Sequence, residues 1–139
     1  MSKIRALAIC LFRNGERILV ERNYDTVKQD YYWRPLGGGV EFGEHSRDAV
    51  IREIREETGE EIENVRLLHV IESFFEADGK PEHEIVFVYD AEFVNRSLYD
   101  GIVECFEKPI GRFTACWKTP QEIADLEERL VPEALKQLL

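Results

Sequence analysis

The segment that most constrains this chain is a glycine-rich turn leading into an acidic helix, between residues 38 and 60. Glu53, Glu56 and Glu57 are three or four residues apart, so on an α-helix their carboxylates lie along one side. Like charges at these spacings repel, and two of them sit near the negative end of the helix dipole. A hard divalent cation such as Mg²⁺ prefers oxygen ligands of this kind. A metal site is therefore the first interpretation of these residues.

A solvated amphipathic helix is the competing interpretation. Glutamate favours helices, and Arg52 and Arg55 are interleaved with the acids, as on many exposed helices. The flanking residues favour a site instead, because four glycines lie within seven residues, at positions 37, 38, 39 and 43. Such clustering lets a backbone approach a ligand, at an entropic cost that a simple loop has no need to incur.

Capping residues predict the bounds of this helix. Ser46 is a suitable N-cap, and Gly59 is a suitable residue just beyond the C-terminus, since glycine adopts the left-handed conformation that ends many helices. We therefore expect a helix over residues 47–58.

The fixed positions of the segment are Gly38, Glu44, Arg52, Glu53, Glu56, Glu57 and Gly59. Their spacing resembles the Nudix box, the signature of hydrolases that cleave a nucleoside diphosphate linked to another moiety. Two positions depart from the pattern: Glu60 stands where an aliphatic residue is usual, and Leu36 stands where many members have proline. Neither departure affects a carboxylate that would take part in chemistry.

The resemblance implies roles for the matched residues. It implies that one or more Mg²⁺ or Mn²⁺ ions are held by Glu53, Glu56, Glu57 and the backbone carbonyl of Gly37. It also implies that Arg52 orients Glu44 or a catalytic glutamate; the alternative for Arg52 is an ordinary helical ion pair. One of the glutamates, or another from a later loop, would act as general base on water, so the predicted catalytic residues are Glu44, Arg52, Glu53 and Glu57. Metal ions suit this reaction because they stabilise the charge that develops on a pyrophosphate and lower the pKa of bound water.

Substrate contacts are predicted before and within the glycine turn. Gly38 and Gly39 let the backbone come close to a ligand. Arg34 offers a cation to an anionic substrate, as Arg22 and Lys28 also do; the alternative for each of these cations, and the simpler one for any of them alone, is a solvated surface position. Tyr32, with its neighbours Tyr31 and Trp33, offers aromatic faces on which a base could stack. The alternative for these aromatic residues is a half-buried strand edge.

Acids outside the helix are further candidates for a metal ligand or a base, namely Glu82, Glu84, Glu104 and Glu107. Glu84 begins a predicted strand and is expected to point into the cleft, where it would contact substrate. Taken alone, each of these acids is more simply interpreted as a surface residue. The box specifies the chemistry and not the substrate. We therefore predict only that the substrate is a small nucleotide derivative.

Composition indicates one acidic domain spanning residues 1–139. The chain is 44% apolar, and 28 acidic against 18 basic residues give a net charge of −10, which argues against nonspecific binding to nucleic acid or to an anionic membrane. The three cysteines have no metal-type spacing, and no run of apolar residues is long enough to cross a membrane. We expect a cytoplasmic location, and the apolar C-terminal LKQLL makes a homodimer possible.

The remaining segments predict strands and two late helices. Residues 4–12 and 17–22 flank Asn14-Gly15 and are predicted to form an opening hairpin. Residues 63–75 and 84–94 are predicted to form a second antiparallel pair, and residues 113–118 a last strand. Helices are expected after Thr119-Pro120 and at Pro132. The fold class is thus α/β, an α/β/α sandwich with a mixed β-sheet, which the Nudix resemblance also implies.

A noncatalytic domain that binds or senses a nucleotide on the same fold is the alternative function. Such a domain would be free to lose a metal-binding carboxylate. This chain keeps Arg52, Glu53, Glu56 and Glu57 together, and we therefore favour the enzyme.

Overall fold

The computed structural model describes residues 2–139. The strands in this part of the chain are β1 (Ile4–Cys10), β2 (Arg13–Asn14), β3 (Arg17–Asp25), β4 (Asp30–Gly39), β5 (Ile62–Ala77), β6 (Lys80–Phe93), β7 (Val103–Glu107), β8 (Gly111–Lys118) and β9 (Arg129–Leu130). The α-helices are α1 (Ser46–Thr58) and α2 (Pro120–Asp125), and 3₁₀-helices span Arg96–Asp100 and Glu133–Leu138.

The strands form one mixed sheet. Seven of them follow the order β5-β6-β1-β4-β3-β8-β7, with β2 attached to β3 and β9 attached to β4. β1 pairs parallel with β6 and antiparallel with β4, which makes the sheet mixed. The predicted antiparallel pair of β5 and β6 is confirmed, and both strands are longer than expected.

The core consists of two clusters, one on each face of the sheet. Successive side chains of β1 point to opposite faces, so the strand contributes to both clusters. One cluster packs α1 against the sheet and includes Ala8, Cys10, Val50 and Ile54. The other packs α2 and the C-terminal 3₁₀-helix and includes Leu7, Ile9, Ile123 and Leu135. Helical elements thus cover both clusters, and the predicted α/β architecture with a mixed sheet is confirmed.

The opening hairpin differs from the prediction. β1 pairs with β4 and β6, and only the short β2 forms a hairpin with β3. Its two-residue turn is Gly15-Glu16, one residue later than predicted, because Asn14 still pairs with Arg17. Strands from distant parts of the chain bury the apolar side chains of β1. This burial outweighs the preference of the local turn for a hairpin.

The bounds of α1 agree with the prediction to within one residue, but its N-cap does not. His45 is the N-cap and makes no side-chain capping bond. Ser46 lies inside the helix, and its hydroxyl is 2.6 Å from the hydroxyl of Tyr89. Gly59 ends the helix with φ of 74°, and its N–H donates to the carbonyl of Arg55, as expected.

The C-terminal region contains helices at both predicted positions. α2 begins after Thr119, whose hydroxyl accepts from the N–H of Glu122 while the carboxylate of Glu122 accepts from the N–H of Thr119. The terminal helix is a 3₁₀-helix that begins after Pro132. Of the helices described within residues 2–139, none combines the length and the apolar character that a membrane crossing requires.

Candidate active site

Arg52 connects α1 to the glycine turn and to the loop before the helix. Its Nε and Nη2 donate to the two carboxylate oxygens of Glu44, at 2.8 and 3.0 Å. Its Nη1 donates to Glu53 at 3.0 Å and lies 3.3 Å from both carboxylate oxygens of Glu56. Nη2 also donates to the carbonyl of Gly39 at 2.9 Å. One guanidinium group therefore brings together four of the predicted site residues.

The contact between Arg52 and Glu44 keeps both side chains charged. The hydrogen bonds from Arg52, followed by one from the backbone N–H of Glu41, lower the pKa of Glu44 to about 2. Glu44 is also the largest cause that raises the pKa of Arg52. Such bidentate, charge-assisted contacts fix orientation as well as charge. The geometry suits the predicted orienting role, although the alternative ion pair with Glu56, four residues away on the helix, is present too.

Gly38 makes room for the carboxylate of Glu53. A side-chain Cβ at Gly38 would overlap the carboxyl group of Glu53. Partial burial raises the pKa of Glu53, and the hydrogen bond from Arg52 opposes this effect. The glycine is thus needed here for close approach between the turn and the helix.

Glu57 is a buried acid, with only 6% of its surface exposed. Its Oε1 accepts from the backbone N–H of Gly37 at 3.1 Å. Burial, followed by the charges of Glu21, Glu53 and Glu107, raises the pKa of Glu57 to about 9. At neutral pH this carboxyl group therefore holds a proton unless a cation compensates its charge.

Glu21 belongs to the same cluster, and the sequence analysis missed it. It is 6% exposed and lies opposite Arg34 in the pairing of β3 with β4. The Nε of Arg34 donates to Glu21 at 2.9 Å. A signal was present in the sequence, since Glu21 stands two residues after Leu19 and so shares the face of a strand with a core residue.

The aromatic residues before the glycine turn separate to opposite faces of β4. Tyr32 is half-buried, and burial raises its pKa. Trp33 is 5% exposed within the second core cluster, and its Nε1 donates to Glu128 at 2.7 Å. The predicted stacking of a base on Trp33 is therefore wrong. Tyr31 is exposed but already covered by the guanidinium of Arg22, 3.6 Å from the ring centroid.

Of the three cations proposed to receive an anion, Arg34 is the one beside the carboxylate cluster. Arg22 is engaged by both carboxylate oxygens of Glu128. Lys28 donates to the backbone carbonyl of Glu76 at 3.0 Å. Arg22 and Lys28 are therefore already engaged by other residues of the protein surface.

The additional acids are distributed around the site. Glu107, at the end of β7, lies close enough to Glu53 and Glu57 to raise the pKa of both. Glu84 is 9% exposed and forms an ion pair with Arg5 at 3.6 Å. Burial raises the pKa of Glu84, and the charges of Arg5 and Arg34 oppose this. Glu84 is thus enclosed by the fold near Arg34, while Glu107 faces the helix.

The acids of α1 suit Mg²⁺ or Mn²⁺ by their chemistry and do not form a ready-made cage. Over residues 2–139, no three histidine, cysteine or acidic side chains are arranged to hold a metal ion. In this arrangement Arg52 donates to Glu53 and Glu56, while Glu57 accepts from the backbone N–H of Gly37. Because Mg²⁺ often binds through one or two carboxylates together with waters and substrate phosphates, the residues still fit such an ion.

Comparisons with known proteins assign the chain to a family. The NUDIX domain matches residues 1–138. The chain is 29% identical to the putative mutator protein MutT4 of Mycobacterium tuberculosis (strain CDC 1551 / Oshkosh), over 77% of this chain and 42% of that protein. It is 31% identical to the RNA pyrophosphohydrolase of Dinoroseobacter shibae, over 56% of this chain and 48% of that protein. The chain thus spans less than half the length of either curated relative.

Solved structures share the fold. The MutT NUDIX hydrolase of Burkholderia pseudomallei is 28% identical, with a TM-score of 0.61 over 84% of this chain and 83% of that one. A NUDIX hydrolase from Nitrosomonas europaea has a TM-score of 0.64 over 98% of this chain and 86% of that one, at 18% identity. Since the match to the NUDIX domain extends over almost every residue, from 1 to 138, this chain belongs to the NUDIX family.

Proposed function

We propose that this chain is a divalent-cation-dependent hydrolase that cleaves the pyrophosphate linkage of a nucleoside diphosphate joined to another group. The observation that carries the proposal is the contact of Arg52 with Glu44, Glu53, Glu56 and Gly39, beside a buried Glu57. Family membership supports it, as does the name of one relative, which describes cleavage of a pyrophosphate.

The residues that would hold Mg²⁺ or Mn²⁺ are Glu53, Glu56, Glu57 and the carbonyl of Gly37. When bound, such an ion stabilises the charge developing on the phosphate and lowers the pKa of a bound water. Arg52 keeps Glu44 and Glu53 in place through its hydrogen bonds. A glutamate of this set accepts the proton from the attacking water, which is general base catalysis.

Arg34 is the residue proposed to receive the anionic part of the substrate. Only its Nε is engaged by Glu21, and 42% of its side chain stays exposed. Its two Nη groups are therefore available to bind phosphate oxygens, a contact that guanidinium groups make well. Tyr32 is two residues away on the same face of β4, and we assign it to the nucleoside, with Gly38 and Gly39 allowing close approach of the backbone. Glu84 would contact the substrate from β6.

The experiment that tests this function measures phosphate and pyrophosphate release from a panel of substrates, with Mg²⁺, with Mn²⁺ and with EDTA. The panel contains nucleoside triphosphates, nucleotide sugars, dinucleoside polyphosphates and ADP-ribose. We expect turnover of one class that EDTA abolishes. Glu53→Gln and Glu57→Gln should each lower kcat by about 100-fold or more, because each change removes a charge from the reacting centre.

A matched control is Glu60→Gln, which removes the same charge three residues beyond Glu57, outside the carboxylate cluster. This variant should keep the wild-type rate. Wild-type turnover in Glu53→Gln, or turnover that EDTA does not affect, would contradict the proposal. Nucleotide binding without turnover would point to the noncatalytic sensing module instead. A cytoplasmic location and a homodimer stay predictions, and the second of them is testable by gel filtration.

A further inference from the structure

Glu21 and Arg34 form an ion pair whose position is set by strand pairing. The two residues lie directly opposite each other on β3 and β4, and directly paired residues of neighbouring strands point to the same face of the sheet. The Nε of Arg34 donates to the carboxylate of Glu21 at 2.9 Å. The side chain of Glu21 is 8% exposed and that of Arg34 is 42% exposed. A nearly enclosed carboxylate thus holds a cation that stays accessible to solvent.

Acids from three other elements surround Arg34 at longer range. Burial raises the pKa of Glu57 on α1 and of Glu84 on β6, and the charge of Arg34 opposes both increases. For Arg34 itself, burial acts to lower the pKa, but Glu21 and weaker charges that include Glu107 on β7 raise it overall. Because such effects decrease with distance, Arg34 lies near all of these acids. Among residues 2–139, however, Glu21 is the one acid that forms an ion pair with Arg34.

The contact at Nε determines the orientation of the whole guanidinium group. This group has five N–H donors, one on Nε and four on the two Nη atoms. Because it is planar and rigid, a bond at Nε also fixes the direction of the Nη atoms. Without Glu21 the side chain of Arg34 would sample several rotamers, and Glu57 or Glu107 could attract it. A cation that is already ordered binds a phosphate more tightly, because less conformational entropy is lost on binding.

A further ligand for the metal ion is the alternative role for Glu21. Its charge contributes, after burial, to the raised pKa of Glu57, so the two carboxylates are close to each other. The bond from Arg34 favours the positioning role, because it occupies one carboxylate oxygen of Glu21 and compensates the charge that a cation would otherwise attract.

We propose that Glu21 is a positioning residue for the proposed reaction: it holds the guanidinium group of Arg34 at Nε, so that the two Nη groups are directed at the phosphates before the substrate binds. This inference rests on the proposed function, from which it takes the assignment of Arg34 to the phosphates. In this role Glu21 acts through Arg34 and contacts neither the substrate nor the metal ion.

The test measures the affinity for inorganic pyrophosphate in the presence of Mg²⁺, by calorimetry, in wild type, Glu21→Gln and Glu21→Leu. Both changes remove the same negative charge and keep a side chain of similar size, but only glutamine can accept a hydrogen bond from the Nε of Arg34. We expect pyrophosphate to bind Glu21→Leu about 3-fold to 10-fold more weakly than Glu21→Gln, the range that corresponds to ordering one long side chain. Thermal unfolding will verify that both variants are folded.

The same comparison in an Arg34→Ala background separates positioning from other roles. Arg34→Ala alone should weaken pyrophosphate binding by about 10-fold or more. In this background the two Glu21 variants should have affinities that agree within about 2-fold, because the residue through which Glu21 acts is absent. A structural defect or a lost metal ligand would persist without Arg34, so a persisting difference would overturn the inference. Equal affinities of the two variants when Arg34 is present, or no measurable binding of pyrophosphate to wild type, would also overturn it.

A matched control is Glu63→Leu, which removes an acid paired with an arginine outside the carboxylate cluster. Arg96 donates to Glu63 at 2.7 Å, and both side chains are exposed. This variant should keep the wild-type affinity for pyrophosphate.

The binding measurement needs no turnover, so it separates this inference from the proposed function. If no substrate of the panel is hydrolysed but the affinities for pyrophosphate follow the expected pattern, the hydrolase proposal is wrong and the positioning of Arg34 by Glu21 stands. If one class is hydrolysed with Mg²⁺ but Glu21→Leu and Glu21→Gln bind pyrophosphate equally, the hydrolase stands and the role of Glu21 is wrong.

Discussion

Replacing Glu57 by glutamine should stabilise the cation-free protein. Glu57 is 6% exposed, and its pKa is raised to about 9 by burial and by neighbouring carboxylates. Glutamine has nearly the same shape and is neutral at every pH, and its amide oxygen can still accept from the N–H of Gly37. Glu57→Gln therefore removes the electrostatic cost of this position while keeping its packing and its hydrogen bond.

The magnitude follows from the difference in pKa between the folded and the unfolded chain. In the unfolded chain the carboxyl group of Glu57 ionises near pH 4.5. At pH 7 the folded chain must either keep this group protonated or bury its negative charge. At about 1.36 kcal/mol for each pH unit, this costs about 3 kcal/mol at pH 7. Because the folded pKa is the higher one, wild type has its full stability below pH 4.5 and loses it progressively as pH rises toward 9. The advantage of the variant should therefore vanish near pH 4.

The assay is urea unfolding of wild type and Glu57→Gln in EDTA, from pH 4 to pH 8. We expect the free energies of unfolding to converge at pH 4 and to differ by about 3 kcal/mol at pH 7 in favour of the variant. Mg²⁺ should stabilise wild type more than the variant, since only wild type offers an ionised ligand at this position. A difference that does not depend on pH, or a variant less stable than wild type at pH 7, would refute the electrostatic argument.

Three further predictions concern the same site. Arg52→Lys should lower kcat by about 10-fold or more with little change in KM, because lysine cannot reproduce the forked contacts of guanidinium; an unchanged kcat would contradict this. Gly38→Ala should lower kcat while the protein stays folded, since its Cβ would displace only the carboxyl end of the Glu53 side chain. Gly37→Ala, at φ of 149° and against the backbone of β1, should instead lower the free energy of unfolding by more than about 2 kcal/mol. Calorimetry with a non-hydrolysable nucleotide should show affinity at least about 10-fold weaker in EDTA than in Mg²⁺, and equal affinities would contradict a cation-dependent site.

The glycine turn and its helix were predictable because their signals are local. Gly59 ends α1 as its sequence indicates, and the helix bounds are right to within one residue. The strand pairing of β1 was not predictable in the same way, since its partners are β4 and β6 and their register depends on long-range packing. β9 is two residues long and has no period to detect.

The carboxylates on α1 were predictable from their spacing in the sequence. The neighbouring groups that shift the pKa values of these carboxylates were not. Glu21 is 36 residues before Glu57 in the sequence, and only the fold brings the two close enough for Glu21 to raise the pKa of Glu57. Trp33 was considered together with Tyr31 and Tyr32 as a surface on which a base could stack, although neighbours on a strand point to opposite faces. Alternation along each strand indicates that Glu21 shares a face with Leu19 and that Trp33 and Tyr32 point to opposite faces, but it does not indicate that Glu21 lies near Glu57.

The burial that destabilises Glu57 is also what suits it to bind a cation. Arg52 compensates Glu44, and Arg34 compensates Glu21, through direct hydrogen bonds. Within residues 2–139 Glu57 forms no ion pair, and its side chain accepts a hydrogen bond from the backbone N–H of Gly37. In a site from which water is largely excluded, an uncompensated carboxylate is costly, but its attraction to a divalent ion is stronger for the same reason. The raised pKa of Glu57 and its proposed role as a metal ligand therefore have one physical origin, and a variant that removes the first should remove the second.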